Sequence, residues 1–145
     1  MRLLVQRIKE AKVTVDGAEI GAVNGGLCLF LGIAAGDSKA SADYLAGKIA
    51  DLRIFEDENG KFNRSIADVG GEILIVSEFT LYGDCSRGRR PSFSQAAAPE
   101  EARWLYDYFV AKLKERGCKV ATGQFQAKME VGLINDGPVT LILER

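Results

Sequence analysis

The pattern of apolar and polar positions in the first third of the chain is typical of β-strands. Residues 3–8 are apolar with a polar tail, whereas residues 12–15 alternate between polar and apolar side chains. Asp16-Gly17 after them is a strong signal for a two-residue hairpin turn. The pattern then predicts a returning strand, a second turn at Asn24-Gly25-Gly26 and a further strand over 27–33. Because residues 27–33 are apolar almost throughout, we expect a central strand that is covered on both faces.

Two segments have the period of a helix instead. The first has Asp37 or Ser38 as a candidate N-cap, and the second is predicted to begin at Pro99 and to end at Gly117. The acidic first turn and the basic last turn of the second helix follow the order that the helix dipole favours. The two predicted buried stripes are Ala42, Leu45, Ile49 and Leu52 in the first helix and Ala102, Leu105, Phe109 and Leu113 in the second.

The remaining segments complete a predicted sheet. Residues 72–81 are predicted as a second buried strand and residues 82–98 as a long loop. Further strands are predicted near 119–122, 129–134 and 139–143, with a turn at 135–138 between the last two. The pattern therefore predicts a single α/β domain over residues 1–145. We expect a compact, β-rich, mixed or antiparallel sheet, or a barrel-like sheet, with two main helices.

Charge and composition exclude several classes of function. The 145 residues include 19 basic and 20 acidic side chains, so a general nucleic-acid coat is not expected, although a local basic patch remains possible. The chain has no histidine, which excludes Ser-His-Asp and Cys-His triads and histidine-ligated zinc. We expect no metal and no cofactor. Carboxylates, hydroxyls, thiols, lysine and backbone groups are left to perform any chemistry.

The three cysteines are Cys28, Cys85 and Cys118. Their odd number and wide spacing are typical of reduced thiols, which predicts a cytoplasmic protein. Charged residues appear too early at the N-terminus for a signal peptide, and the longest apolar run, near 27–35, is too short for a membrane span. We therefore expect no association with a membrane.

Polar groups and a ring stand together at the predicted end of a central strand. Ser77, Glu78, Phe79 and Thr80 place hydroxyls, a carboxylate and an aromatic side chain where the chain leaves the sheet. The pattern alone favours an ordinary strand end. Likewise, Phe79 and Phe125 are able to stack on a nucleotide base, but most such rings belong to the core.

Two other segments carry candidate binding groups. Arg87, Arg89 and Arg90 form the one dense basic stretch, which suits phosphate oxygens but is also typical of a solvated loop. Gly137-Pro138 presents bare backbone with a rigid ring, which suits close contact of carbonyl oxygens with a ligand. A plain turn is the simpler interpretation of that dipeptide.

Taken together, these motifs resemble the D-aminoacyl-tRNA deacylases. The strongest are Ser77-Glu78-Phe79-Thr80-Leu81 and Asn135-Asp136-Gly137-Pro138. The matching segments extend over essentially the whole chain: 5–7, 13–17, 52–55, 68–72, 77–84, 88–93 and 135–140. No single motif is specific, but their combination is.

The resemblance implies a homodimer that hydrolyses the ester linking a D-amino acid, or misattached glycine, to the 3′ end of tRNA. It also implies that a Gly-cis-Pro unit of one subunit reaches into the site of the other and excludes L-amino acids. The residues that it assigns to the site are Ser77, Glu78, Phe79 and Thr80 for catalysis and Asn135, Gly137, Pro138, Met129 and Phe125 for substrate binding. We expect Arg87, Arg89 and Arg90 to contact the tRNA.

The chain departs from the family pattern at two positions. Glu78 stands where the family usually has glutamine, and Gln126 stands where it usually has glycine. Because the ester is already activated, we expect the Phe79 and Thr80 N–H groups to stabilise the oxyanion, with the tRNA ribose 2′-hydroxyl helping to activate water. Thr80 as a nucleophile ranks second. Two other functions stay open: a small hydrolase or deaminase of free metabolites, and a non-catalytic RNA-binding module.

Overall fold

The computed structural model describes residues 1–145. Two long strands begin the chain, and two helices are inserted between the later strands. The strands are β1 (Arg2–Val15), β2 (Ala18–Gly32), β3 (Phe55–Glu56), β4 (Phe62–Arg64), β5 (Glu72–Ser77), β6 (Lys119–Thr122) and β7 (Glu130–Glu144). The helices are α1 (Lys39–Asp51) and α2 (Pro99–Glu115), and a short 3-10 turn spans Phe79–Tyr82.

The main sheet is mixed, which confirms the predicted fold class. Its strand order is β6-β5-β2-β1-β7, and β3 and β4 form a separate small hairpin. β1 pairs antiparallel with β2 and β7, whereas β5 runs parallel to both β2 and β6. Because β2 and β5 are parallel, their carboxyl ends lie side by side, with Leu31 opposite Ser77. This edge of the sheet is where the candidate site lies.

Both faces of the central strands are covered, as their continuous apolar sequences predict. The larger core cluster joins α1 and α2 to one face and includes Leu45, Phe109 and Ile75. A smaller cluster covers the other face and includes Val13 and Leu74. Successive side chains of β5 thus pack into different clusters on the two faces of the sheet, which holds the end of this strand in place. No helix is both long enough and apolar enough to cross a membrane.

The predicted turn at 24–26 is wrong, because β2 continues through it. Asn24 and Gly26 pair with Glu10 and Ile8 of β1 without a change of direction. A Cβ built on Gly26 lies only 2.0 Å from the carbonyl oxygen of Glu72. The glycine therefore permits the close approach of β5 rather than a reversal of the chain.

The predicted turn at 135–138 is also wrong, because β7 is continuous through it. β1 pairs Gln6 with Thr140 and Ile8 with Asn135, so Arg7 alone lies opposite residues 136–139 of β7. The extra residues form a bulge, and the Asn135 side-chain amide bridges it by donating to the Arg7 and Val139 carbonyl oxygens at 2.8 and 3.1 Å. The Pro138 ring, which lacks an N–H, is accommodated because it lies in this bulge of an edge strand.

The second buried strand is shorter than predicted. β5 ends at Ser77, and the Glu78 N–H donates to the Leu31 carbonyl oxygen at 2.8 Å before the 3-10 turn begins. Residues 78–81 continue the alternation of polar and apolar side chains that is typical of a strand, but their backbone has left the sheet. The predicted start of α2 is confirmed, because the helix begins at Pro99. The helix ends at Glu115, and Gly117 just after it has φ 82°, a conformation typical of a glycine that ends a helix.

The three cysteines are free thiols. Cys28 is buried between strands, and burial raises its pKa to about 12. Cys118 is partly buried, and desolvation again raises the pKa. Cys85 lies exposed in the long loop. Cys28 and Cys118 therefore contribute packing, as expected for thiols in or beside apolar runs.

Candidate active site

A cavity of about 490 Å³ opens at the carboxyl ends of β2 and β5. Ten of its fourteen lining residues are hydrophobic. The cavity brings together five of the residues predicted from sequence: Ser77, Glu78, Phe79, Phe125 and Met129. An apolar cavity with few polar groups is the usual form of a small-molecule site.

Other lining residues were missed by the sequence analysis. Leu31 and Ile33 come from the end of β2, whereas Pro99 and Ala102 come from the first turn of α2. Leu31 could have been suspected from its position at the end of an apolar strand. That position indicates a site only if β2 and β5 are known to be parallel, so that Leu31 lies beside Ser77. Val131 of β7 also lines the cavity. β7 and β5 are separated by two strands in the sheet, so the sheet must curl to bring them together.

Glu78 is the one lining residue with an ionisable side chain. Glu78 is partly buried, and the Thr80 hydroxyl donates a hydrogen bond to the Oε1 atom of its carboxylate. Thr80 itself does not line the cavity and is exposed. The hydroxyl that follows the strand end is therefore oriented toward a carboxylate.

Two backbone donors beside the cavity have no acceptor. The N–H groups of Phe79 and Thr80 make no hydrogen bond to the backbone or to any side chain, whereas the neighbouring Glu78 N–H is used by Leu31. Successive free N–H groups at the start of a helical turn carry partial positive charge. They are suited to receive a carbonyl oxygen on which negative charge develops.

The ring of Phe79 connects the cavity to the long loop. Phe79 is 55% exposed, and its ring meets that of Phe93 edge to face, with 5.1 Å between centroids and 68° between planes. Asp84 and Ser92 exchange two backbone hydrogen bonds at 2.8 and 2.9 Å, which closes the loop just before Phe93. The closed segment 84–92 is called the arginine lobe below.

Arg87, Arg89 and Arg90 lie in the arginine lobe and do not line the cavity. All three side chains are exposed, and none forms an ion pair or a hydrogen bond. Their guanidinium groups are therefore free to bind phosphate oxygens. The Phe79–Phe93 contact attaches this lobe to the cavity.

Another part of the cavity wall is formed by a turn over residues 124–127. The Ala127 N–H donates to the Gln124 carbonyl oxygen at 3.2 Å, and Gln126 has φ 62°. Phe125 lines the cavity and carries the Arg103 guanidinium over its ring, 5.6 Å from the centroid. A Cβ on Gly123 would lie 2.6 Å from the sulfur of Met129, so the missing side chain leaves room for that methionine.

A tyrosine that was not predicted positions the strand end. The buried hydroxyl of Tyr106 in α2 donates to the carbonyl oxygen of Ile75 at 2.9 Å. Burial holds the pKa of this phenol well above its usual value, so it remains a donor. This hydrogen bond ties α2 to β5 two residues before Ser77.

Asn135, Gly137 and Pro138 do not line the cavity of their own chain. Gly137 and Pro138 are exposed at the bulge of β7, and the peptide bond between them is cis. No group of three or more His, Cys, Asp or Glu side chains is arranged to hold a metal ion.

Comparison with known proteins gives consistent matches over the full length. Residues 4–144 match the family described as D-Tyr-tRNA(Tyr) deacylase. The chain is 61% identical over 144 residues to a D-aminoacyl-tRNA deacylase of Heliobacterium modesticaldum, covering 99% of this chain and 96% of that protein. It is 58% identical to a D-aminoacyl-tRNA deacylase of Thermus aquaticus, with 99% and 95% covered.

Solved structures agree in fold. The structure described as the c-Myc DNA unwinding element binding protein is 40% identical with a TM-score of 0.93, covering 100% of this chain and 99% of that chain. A probable eukaryotic D-amino acid tRNA deacylase has a TM-score of 0.87 at 17% identity, covering 99% and 98%, and this likeness concerns the fold alone.

Proposed function

The chain belongs to the D-Tyr-tRNA(Tyr) deacylase family, and we propose that it hydrolyses the ester of D-aminoacyl-tRNA to release the free D-amino acid and tRNA. Misattached glycine is a second substrate. The observation that carries the mechanism is the pair of unused N–H groups of Phe79 and Thr80 beside an apolar cavity. Family membership supplies the activity, and this geometry supplies its chemistry.

The ester carbonyl oxygen binds to the Phe79 and Thr80 N–H groups. As water attacks the carbonyl carbon, negative charge develops on that oxygen, and donors already in place stabilise it without reorganising. The leaving group is the ribose 3′-oxygen of the terminal adenosine. Water is activated with the help of the neighbouring ribose 2′-hydroxyl, so the substrate supplies a group that a chain without histidine lacks.

L-Amino acids are excluded by a backbone wall supplied by a second copy of the chain. Gly137-Pro138 of one copy enters the site of the other, where its rigid backbone collides with an L side chain but tolerates a D side chain or glycine. The exposed bulge of β7 supports this arrangement, because Gly137 and Pro138 have no role in the cavity of their own chain.

The homodimer is supported by the surface of β7. This 15-residue edge strand pairs on one side only, and Ile134 and Ile142 are 50% and 65% exposed. A long apolar edge strand is a surface that proteins normally cover. A second copy covers it and brings its own Pro138 to the shared site.

The arginine lobe binds the tRNA near its aminoacyl end. Three unpaired guanidinium groups on a segment attached to Phe79 suit phosphates next to a terminal adenosine. We expect the protein to act in the cytoplasm, where its three free thiols stay reduced.

One observation favours a second mechanism. Because Thr80 donates to Glu78, the carboxylate is placed to accept the hydroxyl proton and make Thr80 a nucleophile. We rank this mechanism second, since the Thr80 side chain is exposed to solvent and the chain has no histidine to act as its general base.

The activity is tested by incubating the purified protein with matched D- and L-tyrosyl-tRNA. We expect rapid hydrolysis of the D-ester and glycyl-tRNA, and none of the L-ester above the spontaneous rate. Equal hydrolysis of the D- and L-esters would contradict the proposal. A parallel reaction with free D-tyrosine methyl ester separates a tRNA enzyme from a hydrolase of free metabolites, because only the latter acts equally on both D-esters.

A further inference from the structure

The Glu78 carboxylate is an unpaired charge facing an otherwise uncharged cavity. It is the one ionisable side chain among the lining residues, and no Lys, Arg or N-terminal amine lies within ion-pair distance of it. Thr80 occupies Oε1, while Oε2 has no hydrogen-bond partner. A partly buried carboxylate beside apolar walls gains from a cation that enters the cavity.

The proposed substrate carries one such cation close to its reacting centre. In an aminoacyl ester, the α-ammonium nitrogen is two bonds from the ester carbonyl carbon. With the carbonyl oxygen on the Phe79 and Thr80 N–H groups, the α-ammonium lies near the end of β5, where Glu78 immediately precedes these donors.

We propose that Glu78 binds the α-ammonium group of the aminoacyl moiety and selects acyl groups that have a free amine. This inference rests on the proposed deacylase function and adds a substrate requirement to it. The Thr80 hydroxyl has a positioning role, since it holds Oε1 and leaves Oε2 for the ligand. A glutamine at this position keeps the acceptor oxygen but loses the charge.

The test compares two substrates of almost equal shape. D-Phenylalanyl-tRNA has an α-ammonium, and D-phenyllactyl-tRNA has a hydroxyl in its place. The ratio of their kcat/KM values is measured for the native protein, for E78Q and for E101Q. Glu101 lies exposed in the first turn of α2 and does not line the cavity, so E101Q makes the same chemical change outside the site.

We expect E78Q to lower the preference for the amino substrate by about tenfold, mainly through KM, since charge-assisted hydrogen bonds are of this strength. E101Q should keep the native preference. If E78Q slows both substrates by the same factor, Glu78 is a proton acceptor and the inference is overturned. It is equally overturned if E78Q keeps the native ratio. Both results leave the proposed deacylase function of the native protein standing, whereas native protein that hydrolyses neither substrate would reject the proposed function itself.

Discussion

The guanidinium of Arg7 lies against the carboxylate of Asp136, with 2.8 Å between Nε and Oδ2. The contact is an ion pair rather than a hydrogen bond, because the Nε–H is not directed at that oxygen. The arginine is only 5% exposed, and its Nη1 donates to the Ile54 carbonyl oxygen at 2.6 Å. Since Asp136 directly precedes Gly137, a buried cation holds the bulge that presents the Gly-Pro backbone.

Replacing this arginine should destabilise the protein and displace the bulge. We expect R7A to lower the free energy of unfolding by about 2 kcal/mol, since it removes a buried partner of the Ile54 carbonyl and the counter-ion of a carboxylate that is still 37% exposed. Urea unfolding gives the stability, and hydrolysis of paired D- and L-aminoacyl-tRNA at a temperature where the variant is folded gives the activity and the D/L ratio. K9A, at an exposed position of β1, is the control and should change neither.

If R7A unfolds at lower urea but keeps the native D/L ratio when folded, Arg7 contributes stability alone and does not position Gly137. D136N is expected to have a smaller effect on stability than R7A, because Arg7 keeps its hydrogen bond to the Ile54 carbonyl oxygen in that variant.

Pro138 should act on the cavity of the other subunit. We expect P138A to change the D/L ratio of hydrolysis by about tenfold or more, because a more flexible backbone excludes the L side chain less well. P91A, in the exposed arginine lobe, is the matched control and should keep the native ratio. The measurement is hydrolysis of paired D- and L-aminoacyl-tRNA.

Mixed dimers show whether Pro138 acts on the cavity of its own chain or on the cavity of the other subunit. A102W fills the cavity of one protomer but leaves its Pro138 intact. In a dimer of A102W with P138A, one site combines an intact cavity with an intact proline from the other subunit. Recovery of native selectivity at this site is expected. A mixture that behaves as the sum of the two parent variants would show that the proline acts within its own chain.

Periodicity predicted the helices and central strands because it depends on residues that are neighbours in the chain. Glycine led to a wrongly predicted turn twice, at Gly26 and at Gly137, where the strands in fact continue. A glycine that permits close approach of a neighbouring strand, or a bulge, has the same local sequence pattern as a glycine in a turn. The parallel pairing of β2 with β5 depends on contacts distant in sequence. For that reason Leu31 and Ala102 were not predicted to line the cavity, whereas Ser77 and Phe79 were identified by their motif.

The arginine lobe should contribute to binding of tRNA but not to the chemistry. We expect the triple variant R87Q/R89Q/R90Q to raise KM for D-aminoacyl-tRNA while kcat stays close to the native value. The dependence of log KM on log salt should also weaken, by about 0.7 for each phosphate that the arginines no longer neutralise. An R103Q variant, which removes the cation over Phe125, tests a basic residue outside the lobe. A native salt dependence in the triple variant would mean that the lobe does not bind phosphate.

Thr80 separates the two mechanisms. If water attacks the ester, T80V retains at least about a tenth of the native kcat, because the backbone N–H remains and only the hydrogen bond to Glu78 is removed. If Thr80 is the nucleophile, its replacement should lower kcat on the order of 10⁴-fold or more. T80S keeps the hydroxyl and is the control in both cases. Rapid-quench measurement on D-aminoacyl-tRNA gives the rate of the chemical step, and circular dichroism checks that T80V is folded.

Gln126 has a backbone conformation that favours glycine. Its φ of 62° lies in the left-handed region, which costs a residue with a side chain about 1–2 kcal/mol, while glycine adds an entropic cost of about 0.5–1 kcal/mol. We therefore expect Q126G to raise the free energy of unfolding by up to about 1 kcal/mol. Q124G, which changes a residue of the same turn without a positive φ, should instead be neutral or destabilising. Urea unfolding of both variants tests the difference. Equal effects of the two changes would mean that the turn beside Phe125 relaxes and that Gln126 carries no conformational cost.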